Sequence, residues 1–216
     1  MRVYYLSSAE YALSNIALRR VKISRFTELN DPFEFLALDL SDQEHRSALR
    51  ATKTEINKTK GLICFSKSWK NPVLWGHYAD KHRGIALGFD APKDKLKKVF
   101  YAQKPSKMVF VEIDGKVQVH PAVVERLIAT KFADWKYEDE TRLFVALDPA
   151  TTENGLYFLD FSNELQLREV ILGPNCELPL SGIKKLVSDF PSEVSVIKAR
   201  VAFKTFSVVQ DKSKQS

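Results

Sequence analysis

The apolar positions of this chain change period repeatedly, from the alternation of a strand to the three- and four-residue spacing of a helix, and no long stretch keeps either. Such switching constrains the fold more than any single motif, because each segment can bury only one face and has to find a neighbouring layer. The spacing predicts strands over residues 3–6 and 20–26, around a helix over 8–19 capped by Ser7 or Ser8. A polar surface helix is expected over about 42–60, a buried strand over 61–66, and a helix from Asn71-Pro72 to about His82. The strand GIALGF follows, then a lysine-rich helix, the strand VFYA, and a hairpin turned at Asp114-Gly115. A helix over 121–133, strands over 141–147, 156–161 and 167–172, a helix over 179–189 and a closing pair over 194–209 complete the order. Hairpins outnumber plausible βαβ crossovers. The expected fold is therefore α+β: one domain over 1–209 with a mostly antiparallel mixed sheet and peripheral helices, and a flexible tail over 210–216.

At 216 residues the chain is long enough to bury a core without metals or disulfides. With 44% hydrophobic and 28% charged residues it is not a disordered, collagen-like or low-complexity sequence. No segment approaches 18 consecutive apolar residues, and the N-terminal residues lack the apolar centre of a signal peptide. A cytoplasmic protein without membrane contact is expected. Cys64 and Cys176 form no C-x-x-C pair and do not suggest a disulfide framework.

The formal charge of +6 is local. Lys93, Lys95, Lys97, Lys98, Lys104 and Lys107 stand against the single acid Asp94, for +5 between residues 93 and 107. A solvated helix end followed by a loop accounts for such a run. The same lysines could instead attract the phosphates of a nucleic acid or dinucleotide without reading bases.

Three segments could carry chemistry. In WKYEDETRLFV, Glu138 and Glu140 share one face if the strand has already begun, and Arg142 continues the same period. Two such carboxylates repel unless one keeps its proton or a cation neutralises the pair. They could orient ribose hydroxyls, stabilise an oxocarbenium-like centre or activate a nucleophile, and the tripeptide also fits an acidic turn with a cross-strand salt bridge. In NPVLWGHYADKH, Trp75 and Tyr78 fall on an apolar helical stripe, as core or as ligand contacts, and His77 lies off its centre as a hydrogen-bond donor. His77 and His82 are five residues apart, which is not the spacing of a paired metal site, so no metal is expected. In RFTELNDPFEF, Asn30, Asp31 and Glu34 surround the turn-forming Pro32, either satisfying the backbone or lining a ligand loop. Ser66 closes a buried strand. Asp114-x-Lys116 is better explained by its hairpin turn than as a nuclease motif, and GIALGFD contains neither a dinucleotide fingerprint nor a P-loop.

In combination, N-D-P-F-E at 30–34, C-F-S at 64–66, L-W-G-H-Y-A-D-x-H-R-G-I-A-L-G-F-D at 74–90 and W-K-Y-E-D-E-T-R at 135–142 resemble the bacterial domain-of-unknown-function family 2971. The resemblance covers about residues 1–175. It implies a setting among phage-defence and abortive-infection loci and leaves the reaction open. A remoter likeness is to mono-ADP-ribosyltransferase-like domains, with Tyr4 or Tyr5 on the first strand, Phe65-Ser66 on a central strand and Glu138-x-Glu140 opening a later one. That resemblance implies an ADP-ribosyltransferase-like fold with NAD as substrate. Tyr4 and Ser66 would seat the nicotinamide ribose, Glu140 would bind its 2′-hydroxyl, and Glu138 would activate the acceptor. The lysines would then face the pyrophosphate or a nucleic-acid acceptor. The first strand departs from that pattern in lacking an interior Arg or His.

The leading expectation is an NAD-dependent ADP-ribosyltransferase-like or NAD-cleaving effector of a defence or toxin–antitoxin system. It would act on a protein or nucleic-acid acceptor and pair with a cognate antitoxin or defence partner. The alternatives are a non-catalytic nucleic-acid- or protein-binding module and a nuclease.

Overall fold

In the computed structural model, residues 1–31, 33, 34, 40–105, 110–113 and 115–214 are described. Strand β1 (Arg2–Ser7) leads into α1 (Ala9–Ala17), where the Ser8 side chain accepts from Tyr11 N–H as the cap. After β2 (Arg20–Ile23), α2 (Gln43–Thr59) starts at Asp42, whose carboxylate accepts from the Glu44 and His45 N–H groups. Then come β3 (Lys60–Ser66), α3 (Pro72–Tyr78) with Asn71 as cap, β4 (Ile85–Asp90), β5 (Leu96–Lys98) and β6 (Phe100–Ala102). A hairpin of β7 (Phe110–Ile113) and β8 (Lys116–Val119) turns through Gly115 at φ +69°; the expected partner Asp114 lies outside the described residues. The chain continues through α4 (Pro121–Leu127), β9 (Thr130–Phe132), β10 (Glu140–Ala146), β11 (Tyr157–Asp160) and β12 (Gln166–Leu172). It ends in α5 (Leu180–Val187), β13 (Ser195–Val201) and β14 (Val208–Gln210).

Eight of these strands form one sheet in the order β14-β13-β12-β4-β1-β3-β10-β5, antiparallel except where β12 meets β13. The expected α+β class and mostly antiparallel sheet are found. The β2–β11, β6–β9 and β7–β8 pairs stand apart from it.

Alternation along the strands separates two faces. Val3, Phe65, Leu87, Phe89 and Val170 lie on the first, packed with Ala12 and Ile16 of α1 and Ile183 and Val187 of α5 in one apolar core. The second face holds two smaller clusters. Trp75, Ala79, Ala86 and Ile171 gather at one, and Phe26, Leu49, Leu62, Leu127 and Ile128 at the other. Between them this face turns polar.

Three elements depart from expectation. The lysine-rich segment is a short 3-10 turn, Lys93–Lys95, followed by edge strand β5, because Leu96 is buried and Leu96–Lys98 pairs with β10. Helix α3 stops at Tyr78: Asp80, Lys81 and His82 all take left-handed φ values, of +43°, +51° and +72°. Helix α4 stops at Leu127, since Thr130–Phe132 pairs in parallel with β6. The boundary expected at 209 falls inside β14, and Asp211 N–H bonds Lys198 O at 2.7 Å beyond it. Gln215 and Ser216 lie outside the described residues.

Candidate active site

The polar part of the second face is organised by strand register. Ser66 on β3 lies opposite Tyr4 on β1 and opposite Glu140 on β10. Tyr4 in turn faces Gly88, which faces Glu169 on β12, so one row of residues crosses five strands. A Cβ on Gly88 would stand 3.0 Å from Tyr4 Cε1 and 2.9 Å from Glu169 Cβ. Glycine there is what lets the Tyr4 ring lie across the sheet. Burial, and then the Glu169 carboxylate, push the Tyr4 hydroxyl up to about 12, so it stays neutral at ordinary pH.

The pair Glu138 and Glu140 converges by a different route from a shared strand face. Glu138 ends a 3-10 turn, Ala133–Glu138, and Glu140 begins β10. Between them Asp139 is left-handed, at φ 41° and ψ 53°. That bend returns both carboxylates to one ammonium. Lys131 Nζ stands 2.7 Å from Glu138 Oε2, 3.3 Å from Glu34 Oε1 and 3.5 Å from Glu140 Oε2. Arg142 holds Glu140 through Nε at 2.7 Å and Nη2 at 3.2 Å, and Glu34 through Nη2 at 2.6 Å. Its Nη1 donates to the Ile128 carbonyl at 2.8 Å.

All five charged residues are buried, none more than 4% exposed. Three carboxylates face two cations, so the fully ionised cluster carries one negative charge that no described cation within it balances. The two members of the E-x-E respond in opposite directions. Burial pushes the Glu138 carboxyl above the ordinary carboxylate range, and Lys131 and the Tyr78 hydroxyl only partly offset it. Burial acts on Glu140 as well, but Arg142 and then Lys131 outweigh it and hold that carboxyl below its ordinary value. Adjacent carboxylates pushed apart in this way can divide the work of proton acceptor and fixed negative charge.

Neighbouring groups fix the pair in place. The Tyr78 hydroxyl donates to Glu138 Oε1 and accepts from Asn30 Nδ2 at 3.0 Å. The Ser66 hydroxyl lies 2.6 Å from the Glu138 carbonyl oxygen and accepts from Ser68 N–H at 3.3 Å, which pins the turn before Asp139. Tyr101 Oη accepts from Glu140 N–H at 2.8 Å. Tyr4, Asn30, Ser66, Tyr78, Glu138 and Glu140 line one cavity of about 160 Å³, whose remaining wall includes Glu34, Leu6, Phe65 and Leu74.

Other expected site residues lie elsewhere. Trp75 is a core residue: its ring is wholly buried and its Nε1–H donates to Trp69 O at 2.5 Å. His77 is exposed and does not line the cavity; its Nδ1 pairs with the Tyr137 hydroxyl at 2.7 Å, beside Trp135. Asp31 is buried and shapes its turn, with Oδ1 accepting from Phe33 N–H at 2.9 Å. Arg142 stands behind Glu140 and positions it.

Among the described residues, the expected lysine patch is divided between separate surface features. Lys95 pairs with Glu164 at 2.5 Å, Lys97 and Lys98 line a groove beside β10, and Lys104 lines a separate small cavity with Phe33 and Phe132. Lys107 lies outside the described residues.

Sequence reasoning missed Lys131 and Tyr101. The only signal for Lys131 was a charge count, since Arg142 alone cannot neutralise Glu34, Glu138 and Glu140 once all three are buried.

A family described as "Protein of unknown function (DUF2971)" matches residues 74–143, the stretch from α3 to β10. To that extent the chain is similar to this family. The matched stretch includes Tyr78, Lys131, Glu138, Glu140 and Arg142, while the N-D-P-F-E and C-F-S segments lie before it. No curated protein and no solved structure matches the chain.

Proposed function

We propose that the cavity binds the nicotinamide-ribose end of NAD and breaks its N-glycosidic bond, as an ADP-ribosyltransferase-like or NAD-cleaving enzyme. The observation that carries this reading is the surplus carboxylate beside the cavity, in register with Ser66 and Tyr4. As the C1′–N bond opens, its electron pair leaves with the nicotinamide and positive charge grows on the ribose. A preorganised negative charge out of water stabilises that centre more than it stabilises the ground state.

Glu140, kept ionised by Arg142, accepts a hydrogen bond from the ribose 2′-hydroxyl. Glu138, with its raised proton affinity, takes the proton from the attacking water or acceptor hydroxyl as the new C1′–O bond forms. Lys131 and Tyr78 hold Glu138 in place, and Ser66 acts through the Glu138 carbonyl as a positioning residue. The Tyr4 ring and Leu6 supply an apolar wall. At about 160 Å³ the cavity is smaller than the roughly 300–1,000 Å³ of whole-ligand pockets, so it takes only the reacting end.

The setting that goes with this chemistry is a cytoplasmic effector of a bacterial defence or toxin–antitoxin system, held in check by a cognate partner. Expression of wild type and Glu140→Gln in a bacterial host tests it. Growth arrest with falling NAD in the wild type alone supports the reading, and equal growth with unchanged NAD counts against it.

A further inference from the structure

Lys97 and Lys98 gain partners that lie far away in the sequence. A groove of about 680 Å³ runs beside the outer end of β10, several times the volume of the candidate active site. Lys60 at the start of β3, Lys97 and Lys98 on β5, and Arg126 in the last turn of α4 line it, with Glu125 as the single acid in the lining. None of the four cations has an ion-pair partner among the described residues. Leu96, Ile128, Phe144 and Ala146 supply an apolar floor. Phe100, on the same lining, is 63% exposed.

Lys60, Lys97 and Arg126, brought from three elements, place exposed positive charge along one groove, which favours an anionic ligand. A single phosphate would need one or two of them. Cations spaced along a groove suit a repeating anion, and lysines act on it as point charges with no base selectivity. An exposed aromatic beside such a track suits a base that is free to stack, which a duplex does not offer.

We infer that this groove holds the phosphate backbone of a single-stranded nucleic acid, with one base stacked on Phe100. The inference does not depend on the NAD reading, because binding here requires no chemistry at Glu140. The two sites nevertheless meet at Arg142: its Nη1 bonds the carbonyl of Ile128, which lines the groove, while Nε and Nη2 hold Glu140 and Glu34.

The test is fluorescence anisotropy of the full chain with a labelled oligothymidylate of about 20 nucleotides, longer than the 4–16 nucleotides typical of one single-strand site. Binding should weaken as salt rises, with a log–log slope of about −0.7 per phosphate contact. The double variant Lys60→Glu, Lys97→Glu should lose at least about tenfold in affinity and flatten the slope by about 1.4. Phe100→Ala should weaken binding by about fivefold or more and leave the slope unchanged. Lys184→Glu, Lys185→Glu on the exposed face of α5 should alter neither, and thermal melting shows whether each variant is folded. Three results would overturn the inference: no binding at low salt, equal loss in the α5 variant, or displacement of the oligonucleotide by poly-glutamate as readily as by unlabelled oligothymidylate.

Discussion

Glu138 and Glu140 share one ammonium, Lys131 Nζ, at 2.7 and 3.5 Å, although a left-handed residue separates them and only Glu140 lies in a strand. The arrangement sets a pair of neighbouring carboxylates in unlike surroundings. Arg142 holds Glu140 from one side, and Tyr78 reaches Glu138 from the other.

Removing Lys131 leaves three buried carboxylates with one cation. Lys131→Met should therefore destabilise the fold by about 3–5 kcal/mol, the usual cost of stripping one partner from a buried ion pair. Adding Glu138→Gln to it should restore part of the loss, because one uncompensated charge disappears. Urea denaturation of the two single variants and the double variant measures the coupling.

Stability should depend on pH through the two glutamates with opposite signs. Glu140 is lowered in the fold, so its contribution is present above its unfolded value of about 4.3 and is lost as pH falls through its lower folded value. Glu138 is raised, so its contribution is present below the unfolded value and is lost as pH rises through the folded one. Glu140→Gln should make stability less sensitive to acid, whereas Glu138→Gln should make it less sensitive to a rise in pH just above that range. Denaturant midpoints measured across pH 3–7 in roughly half-unit steps decide the signs.

Tyr78→Phe removes a hydrogen bond that favours the ionised form of Glu138. The acid limb of kcat/KM for nicotinamide release should move to higher pH in this variant while the plateau stays within about tenfold of wild type. An unshifted limb would remove Tyr78 from the account of Glu138.

Two glycines test how closely the site is packed. A Cβ on Gly84 would stand 2.1 Å from the Ser7 carbonyl oxygen, a backbone atom with nowhere to go, so Gly84→Ala should prevent stable folding. On Gly88 it would press on the Tyr4 ring and on Glu169, which can shift, and the cost should be about 1–3 kcal/mol. Thermal melting ranks the two.

Much of this architecture was legible in the chain. The strand-like runs VYYL, GLICFS and TRLFVAL located β1, β3 and β10, and two expected caps, Ser8 and Asn71, cap their helices. Seven of the expected site residues, Tyr4, Asn30, Glu34, Ser66, Tyr78, Glu138 and Glu140, line one cavity, whereas His77, Asp31, Trp75 and Arg142 do not. What failed was contact at a distance. Lys131 looks like any lysine at a helix end until β9 carries it under Trp135, 4.7 Å from the ring centroid, and into the carboxylates. Lys97 and Lys98 looked helical because nothing local says that β10 will accept an edge strand there. Trp75 followed an apolar stripe and proved to be part of the core, the ordinary fate of such a stripe.

The central claim is that the surplus negative charge of the Glu34, Glu138 and Glu140 cluster, presented through Glu140, opens a glycosidic bond, and nicotinamide release from NAD by the purified chain measures it most directly. Wild type should release nicotinamide. Glu140→Gln should fall by at least about a hundredfold, in line with the loss of one transition-state electrostatic contact, while melting shows that it remains folded. Release at the same rate by folded Glu140→Gln, or none by wild type with and without cell extract as a source of acceptor, would contradict the account.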